Sequence, residues 1–245
     1  MVFKAFIPLI LVLLPFLARA EGEDTTAIPE KPRARAISNV VFQFDNRNER
    51  YFGTKARMNG LKLGLESYKR VRFGFGFYAN NNFYRIPNPA IEDSIIRTGK
   101  LNYSTFFTEI VFYRSFRWEV SVIGAAGGGR LRVNNFSNDA SISRFIRQDV
   151  YEKVKIRDVA VNGQFKIYPW LGLGAGVGYR NVVNLPDENL RVAYRVPYID
   201  FKLKLFLGYA VKSIFKPSKI EEEKAYYAYR KKKRHEAFKA LFKNE

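Results

Sequence analysis

The residues best able to do chemistry are carboxylates and cations separated by even steps. Glu66 and Arg72 flank a short turn at Tyr68-Lys69-Arg70, and Glu109 and Glu119 flank another at Arg114-Ser115-Phe116. Lys62 precedes the first pair. Asp158 and Lys166, then Asp200, Lys202 and Lys204, continue the pattern. Three chemistries are open to such a set. Two carboxylates on one face, here Glu109 and Glu119, could work as an acid–base pair. Acids and bases enclosed together could pair and fill the enclosure, because a desolvated charge without a partner is costly. A line of charges could also pass ions. Histidine-dependent nucleophilic catalysis has little to build on, since the chain has one histidine, His235, remote from these residues. Metal sites are equally poorly supplied: there is no Cys, no His pair and no Asp-x-Asp-x-Asp-Gly loop. No catalytic, cofactor-binding or metal-binding residue is therefore predicted.

Strands must position these charges. In Tyr198-Ile-Asp-Phe-Lys-Leu-Lys-Leu-Phe-Leu-Gly-Tyr209 every odd residue from Ile199 is apolar or aromatic, while Asp200, Lys202 and Lys204 take even places. Successive side chains of a strand face opposite ways, so one face is hydrocarbon and the other charged. Around Tyr68-Lys69-Arg70 one register pairs Leu65 with Phe73, Leu63 with Phe75 and Leu61 with Phe77, and sets Glu66 opposite Arg72. Around Arg114-Ser115-Phe116 the predicted pairs are Phe112 with Trp118 and Ile110 with Val120. Around Tyr168-Pro169-Trp170 they are Ile167 with Leu171, Phe165 with Leu173, Val161 with Val177 and Val159 with Tyr179. One register serves both faces of each hairpin, as the two-residue period demands.

Eight strands follow, over 37–45, 56–67, 71–79, 102–113, 117–131, 156–168, 170–180 and 192–211. Short turns alternate with connections rich in Asn and Pro at 45–55, 79–101, 132–154 and 181–192. Such an alternation fits a transmembrane barrel with short turns on one side and long loops on the other.

Residues 1–20 read as a secretory signal peptide: Lys4, an apolar run from Ile7 to Leu17, then Ala18-Arg19-Ala20. Its removal leaves 40 basic against 23 acidic residues, a net +17. The whole chain is 16% aromatic, with 22 Phe and 15 Tyr, a composition suited to aromatic girdles.

The signal peptide, the alternation, the tight turns and the strand Leu171-Gly-Leu-Gly-Ala-Gly-Val-Gly-Tyr-Arg180 resemble those of the small eight-stranded bacterial outer-membrane barrels, the outer membrane protein beta-barrel domain group. The resemblance covers about residues 36–211 and implies an all-β, up-and-down antiparallel barrel in the bacterial outer membrane, both termini periplasmic. Such barrels often close on a terminal aromatic, for which Phe215 is the candidate, although thirty residues follow it. Barrel lipases, phospholipases, lipid A deacylases and omptin-type proteases resemble one another in needing a wall or rim histidine, absent here. The competing soluble sandwich or lipocalin-like barrel would put charge outside and pack the apolar face into a core.

An eight-stranded lumen is just wide enough for side chains. Lys62, Glu66, Arg72, Glu109, Glu119, Asp158, Lys166, Asp200, Lys202 and Lys204 are predicted to pair there as a polar plug, with Glu66 on Arg72. A narrow ion or small-solute pore is the alternative, and a lipid-modifying enzyme a second. Gly172, Gly174, Gly176 and Gly178 leave room for long Lys and Arg side chains from across the lumen. Gly127-Gly128-Gly129 reads as a flexible or bulged strand end. Beyond Pro217 no Gly or Pro occurs, and Ser218 with Glu221, Glu222 and Glu223 opens a predicted helix.

The resulting organisation is signal peptide 1–20, flexible segment 21–35, barrel 36–215 and basic helical periplasmic tail 216–245. Lys231, Lys232, Lys233, Arg234, Phe238, Leu241 and Phe242 are its candidate contact residues, for anionic lipid, an envelope partner or peptidoglycan. Outer-membrane lipid and lipopolysaccharide are the expected partners of the barrel, and no cofactor is expected. A secreted chain makes nucleic acid an unsuitable target for the basic run.

Overall fold

In the computed structural model of the chain, residues 36–86, 95–137, 148–185 and 188–241 are described. The signal peptide and the flexible segment lie outside them, as does Phe242. Nine strands form: β1 (Asn39–Tyr51), β2 (Thr54–Ser67), β3 (Val71–Asn80), β4 (Tyr84–Ile86), β5 (Ile95–Arg114), β6 (Trp118–Ser137), β7 (Gln148–Tyr168), β8 (Leu171–Val183) and β9 (Val196–Phe206). Apart from β3 and β4, consecutive strands pair antiparallel along the wall, β9 returns to β1, and β3 pairs with β5. The short β4 also pairs with β5, continuing the line of β3 after a break at Asn81–Phe83. The result is a closed eight-stranded up-and-down barrel.

Closure removes the unpaired strand edge that an open sheet would expose. It also fixes an inside and an outside. Phe75 is 61% exposed, Phe201 57% and Ile110 55%, whereas Asp200 and Arg180 are 0% exposed and Arg72, Glu66, Glu109 and Glu119 are 1%. A water-soluble fold keeps charge outside because burying it is expensive. Only a hydrocarbon solvent makes the inverse arrangement stable, so this is a transmembrane barrel. Tyr68, Trp118, Tyr168 and Trp170 cluster at the end carrying the short turns, with Tyr168 and Trp170 stacked 5.5 Å apart.

The hairpins at Tyr68 and Tyr168 keep the expected registers along most of their length. Leu65 faces Phe73, Glu66 faces Arg72, Val161 faces Val177 and Val159 faces Tyr179. Three departures come from local backbone geometry. An irregularity between Val111 and Tyr113 shifts the second hairpin, so Ile110 meets Val122 rather than Val120, and Phe112 does not pair with Trp118. A second, between Lys166 and Tyr168, sets Tyr168 rather than Ile167 opposite Leu171. Each inserted residue re-aims the strand end that it interrupts. The glycines Gly127, Gly128 and Gly129 instead form a regular stretch of β6, where a Cβ on Gly127 or Gly129 would strike the backbone of β5. They permit close strand approach, which corrects the expected bulge.

The larger correction is length. β5, β6 and β7 have 20, 20 and 21 residues and run through much of what the Asn-rich composition marked as loop. At about 3.3 Å per residue and a 45° tilt, β7 rises on the order of 50 Å, about twice an apolar band of about 25 Å. β1 and β2 likewise continue past Asp45 to a tight turn at Phe52-Gly53, with φ of 50° and 78°. Both lie in the left-handed region, which glycine enters without steric cost. One long connection expected at this end is thus a two-residue hairpin turn.

The last strand is shorter than expected. Residues 192 and 193 belong to α1 (Glu188–Ala193), and β9 stops at Phe206. Leu207–Phe215 is α2, so Phe215 sits on a helix and is not a strand-closing aromatic. Gly208 N–H donates to Asn39 Oδ1 at 2.6 Å, which ties the start of α2 to β1. α3 (Ser218–Leu241) follows. The barrel unit extends through Glu223, and Lys224 onward belongs to a separate compact unit.

Candidate functional site

The interior is the candidate site, and its order follows from the inward positions of each strand. Among the described residues, seven buried carboxylates (Asp45, Glu49, Glu66, Glu109, Glu119, Asp158, Asp200) share it with seven buried cations (Arg47, Lys62, Arg72, Lys166, Arg180, Lys202, Lys204). All ten predicted lumen residues are among them. Nearest the short turns, Arg72 on β3 reaches three carboxylates. Its Nε donates to Glu66 Oε2 at 2.7 Å, Nη1 to Glu109 Oε1 at 3.0 Å and Nη2 to Glu119 Oε2 at 2.5 Å. Lys204 donates to Glu109 at 2.9 Å, and Lys166 lies 2.7 Å from Glu119. Arg114, at the rim, closes the group onto Glu66 at 2.6 Å and Glu119 at 3.0 Å.

A second layer sits further in. Lys62 lies 3.2 Å from Asp45, and Lys202 lies 2.9 Å from Asp200 and also donates to Asn162. The third layer holds Asp158 between Arg47 at 2.8 Å and Arg180 at 3.0 Å, with Arg180 2.8 Å from Glu49. Tyrosines roof it. The Arg47 guanidinium lies 4.1 Å from the Tyr78 ring centre, and Tyr78 stacks on Tyr103 at 4.7 Å. Desolvated guanidinium groups over aromatic faces gain more than exposed ones.

Both ends are stopped. At the short-turn end Phe206, Tyr209, Val41 and Trp170 pack together, with the ammonium of Lys166 5.1 Å from the Phe206 ring. Tyr209 lies on α2, outside the strands. Its hydroxyl donates to Glu223 Oε1 at 2.7 Å, and Lys69 Nζ donates to the same oxygen at 2.9 Å. Burial, and then the Glu223 carboxylate, push the Tyr209 phenol well above its ordinary range. At the far end the strands, extended beyond the belt, enclose an apolar cluster that includes Tyr51, Met58, Leu101, Leu131, Ile156 and Tyr194. Tyr51 packs 4.7 Å from Tyr84 and 4.8 Å from Tyr194.

Glu109 and Glu119 therefore do not form an open acid–base pair. Each is clamped by cations and 1% exposed, closed off from any substrate. The glycines of β8 serve their neighbours rather than the far wall. A Cβ on Gly172 would strike Gln164, one on Gly176 would strike Asn162 and Asp200, and one on Gly178 would strike Tyr198. Adjacent strands stand closer than opposite walls, so side chains on β7 and β9 take the space first. This corrects the expectation of long side chains from across the lumen.

Arg47, Glu49, Arg180 and Arg114 join the network from outside the ten predicted positions. Arg47 and Glu49 continue the inward period from Asp45, and Arg180 continues it from Gly178. Strand periodicity carried two steps further would have found them. In the tail, Lys231, Lys232, Lys233, Arg234 and Phe238 lie on α3, and Phe238 is 58% exposed. Apolar and charged residues are spread around that helix rather than divided into two faces. Leu241 is its last residue, and its side chain is outside the described set along with Phe242.

No protein-family model and no curated protein matches the chain. Among solved structures, it is similar to Ail, the attachment invasion locus protein of Yersinia pestis, at 15% identity over 69% of this chain and 95% of that one, TM-score 0.40. Neisserial surface protein A is 14% identical over 71% and 99%, TM-score 0.45. The N-terminal β-barrel domain of Pseudomonas aeruginosa OprF is 10% identical over 69% and 98%, TM-score 0.42.

Proposed function

We propose that this chain is an integral barrel of the bacterial outer membrane, closed to solutes, with a structural or surface-contact role. The observation that carries the reading is the inversion of the wall: among the described residues, large apolar side chains are half-exposed outside, and seven carboxylates and seven cations are buried inside. The short-turn end, which holds α2, is the periplasmic face, and both termini are periplasmic. The far end projects from the cell with a basic exterior that includes Arg50, Lys55, Arg57, Arg130, Lys153, Lys155 and Arg157. Such a surface attracts the phosphates of lipopolysaccharide. The tail contacts an anionic envelope component such as peptidoglycan through Lys231, Lys232, Lys233 and Arg234.

A non-enzymatic role fits an interior whose carboxylates are spent on cations. The pore alternative needs a water path, but the charge layers lie between an aromatic stopper and an apolar one. Ions pay the full dehydration cost at such a constriction. Purified protein inserted into planar lipid bilayers is expected to give no discrete conductance steps. Reproducible unitary currents would overturn the closed-barrel reading and favour the pore.

A further inference from the structure

The outer surface changes chemistry from one register row to the next. One row across β1, β2, β3, β5 and β6 reads Phe44, Leu61, Phe77, Ser104 and Gly128. The next row toward the far end reads Asn46, Asn59, Ala79, Asn102 and Arg130, with Lys153 beside it on β7. One row further, Lys100 lies opposite Arg132. Ala79, Ser104 and Gly128 are small, and the wall is hollowed over them into a groove of about 830 Å³. Its lower lip is Phe44, Leu61 and Phe77; its upper lip is Lys100, Arg130 and Arg132.

The cationic lip is braced. The Lys100 ammonium lies 5.5 Å from the Phe83 ring centre. Arg132 Nε donates to Asn134 Oδ1 at 3.2 Å, and its guanidinium lies 5.8 Å from the Tyr151 ring. Arg130 is exposed.

We propose that this groove binds the phosphorylated head group of an outer-leaflet glycolipid. An acyl chain lies along Phe44, Leu61 and Phe77, and the phosphate sits among Lys100, Arg130 and Arg132. Two properties select this occupant. Along the groove the cations of β5 and β6 adjoin the apolar lip of β1, β2 and β3, as a lipid's phosphates adjoin its chains. Guanidinium groups also match phosphate as bidentate donors, and an ammonium adds a point charge. A soluble anion would use the cations but gain nothing from the apolar lip. The site rests on the proposed orientation, with the far end outward.

The test uses the whole folded chain in neutral detergent micelles, with bisphosphorylated lipid A, dephosphorylated lipid A and inorganic phosphate as probes. The wild type is expected to bind bisphosphorylated lipid A in preference to both others. Arg130→Gln with Lys100→Gln is expected to weaken that binding at least about tenfold, the scale of lost charge-assisted hydrogen bonds. Arg130→Gln alone is expected to weaken it less. A heat-modifiable gel shift like that of the wild type shows that the variants keep the barrel. Equal binding of dephosphorylated lipid A, or a double variant within twofold of the wild type, would sink the groove proposal and leave the membrane reading standing. A wild-type chain that shows no heat-modifiable shift would instead sink the membrane reading, and the groove with it.

Discussion

Arg72→Ala is expected to destabilise the refolded barrel by about 3–5 kcal/mol, the cost of removing one partner from a buried ion network. Arg72 is the only buried side chain among the described residues that donates to Glu66, Glu109 and Glu119 together. Without it the carboxylates lose their shared donor in a space where water cannot replace it. Lys166, Lys204 and Arg114 remain and hold part of the network. Urea titration of protein refolded into vesicles, followed by tryptophan fluorescence, measures the loss. Arg72→Met with Glu66→Gln and Glu119→Gln is expected to recover part of it, because the penalty comes from uncompensated charge rather than lost volume. A change under about 1 kcal/mol for Arg72→Ala would mean that the interior is hydrated and the layers are not sealed.

Phe75→Arg tests the other face. Phe75 is the middle of the outward residues Phe73, Phe75 and Phe77 on β3, it is 61% exposed, and its ring lies 5.6 Å from that of Phe106. An arginine facing the bilayer midplane costs about 2–4 kcal/mol in a membrane barrel. The same change on a water-exposed surface usually falls within about 0.5 kcal/mol. The two settings therefore predict different results for one substitution. The urea midpoint is expected to fall for Phe75→Arg and to stay near the wild-type value for Asn59→Arg, two register rows away on the polar side.

The alternation at 198–206 and the paired faces around Tyr68 and Tyr168 carry the fold in the sequence itself. A two-residue period has one physical meaning, and two hairpins that share it on both faces restrict the register. Composition misled where it stood in for periodicity. Asn134 and Asn135 suggest a loop, yet β6 runs through them and β5 begins at Ile95, because Leu101, Leu131 and Val133 continue the inward period and are buried in one cluster at the far end. The same habit ended β1 at Asp45 and hid Arg47 and Glu49. The helical turn after Phe206 was hidden for the opposite reason: Leu207 and Tyr209 keep the strand alternation, but Tyr209 folds under the barrel mouth to meet Glu223. The irregularities at Phe112 and Ile167 leave no trace in pattern, since slipped registers can still match apolar with apolar.

The orientation of the wall can be measured directly, since a chain without native cysteine takes a unique spin label at any introduced one. Leu203→Cys and Lys153→Cys, labelled and refolded into vesicles, are compared by collision with oxygen and with a water-soluble nickel chelate. The label at 203 is expected to meet oxygen and be shielded from nickel, with the reverse at 153. Strong nickel contact at 203 would place the apolar rows in water and contradict the barrel's membrane address.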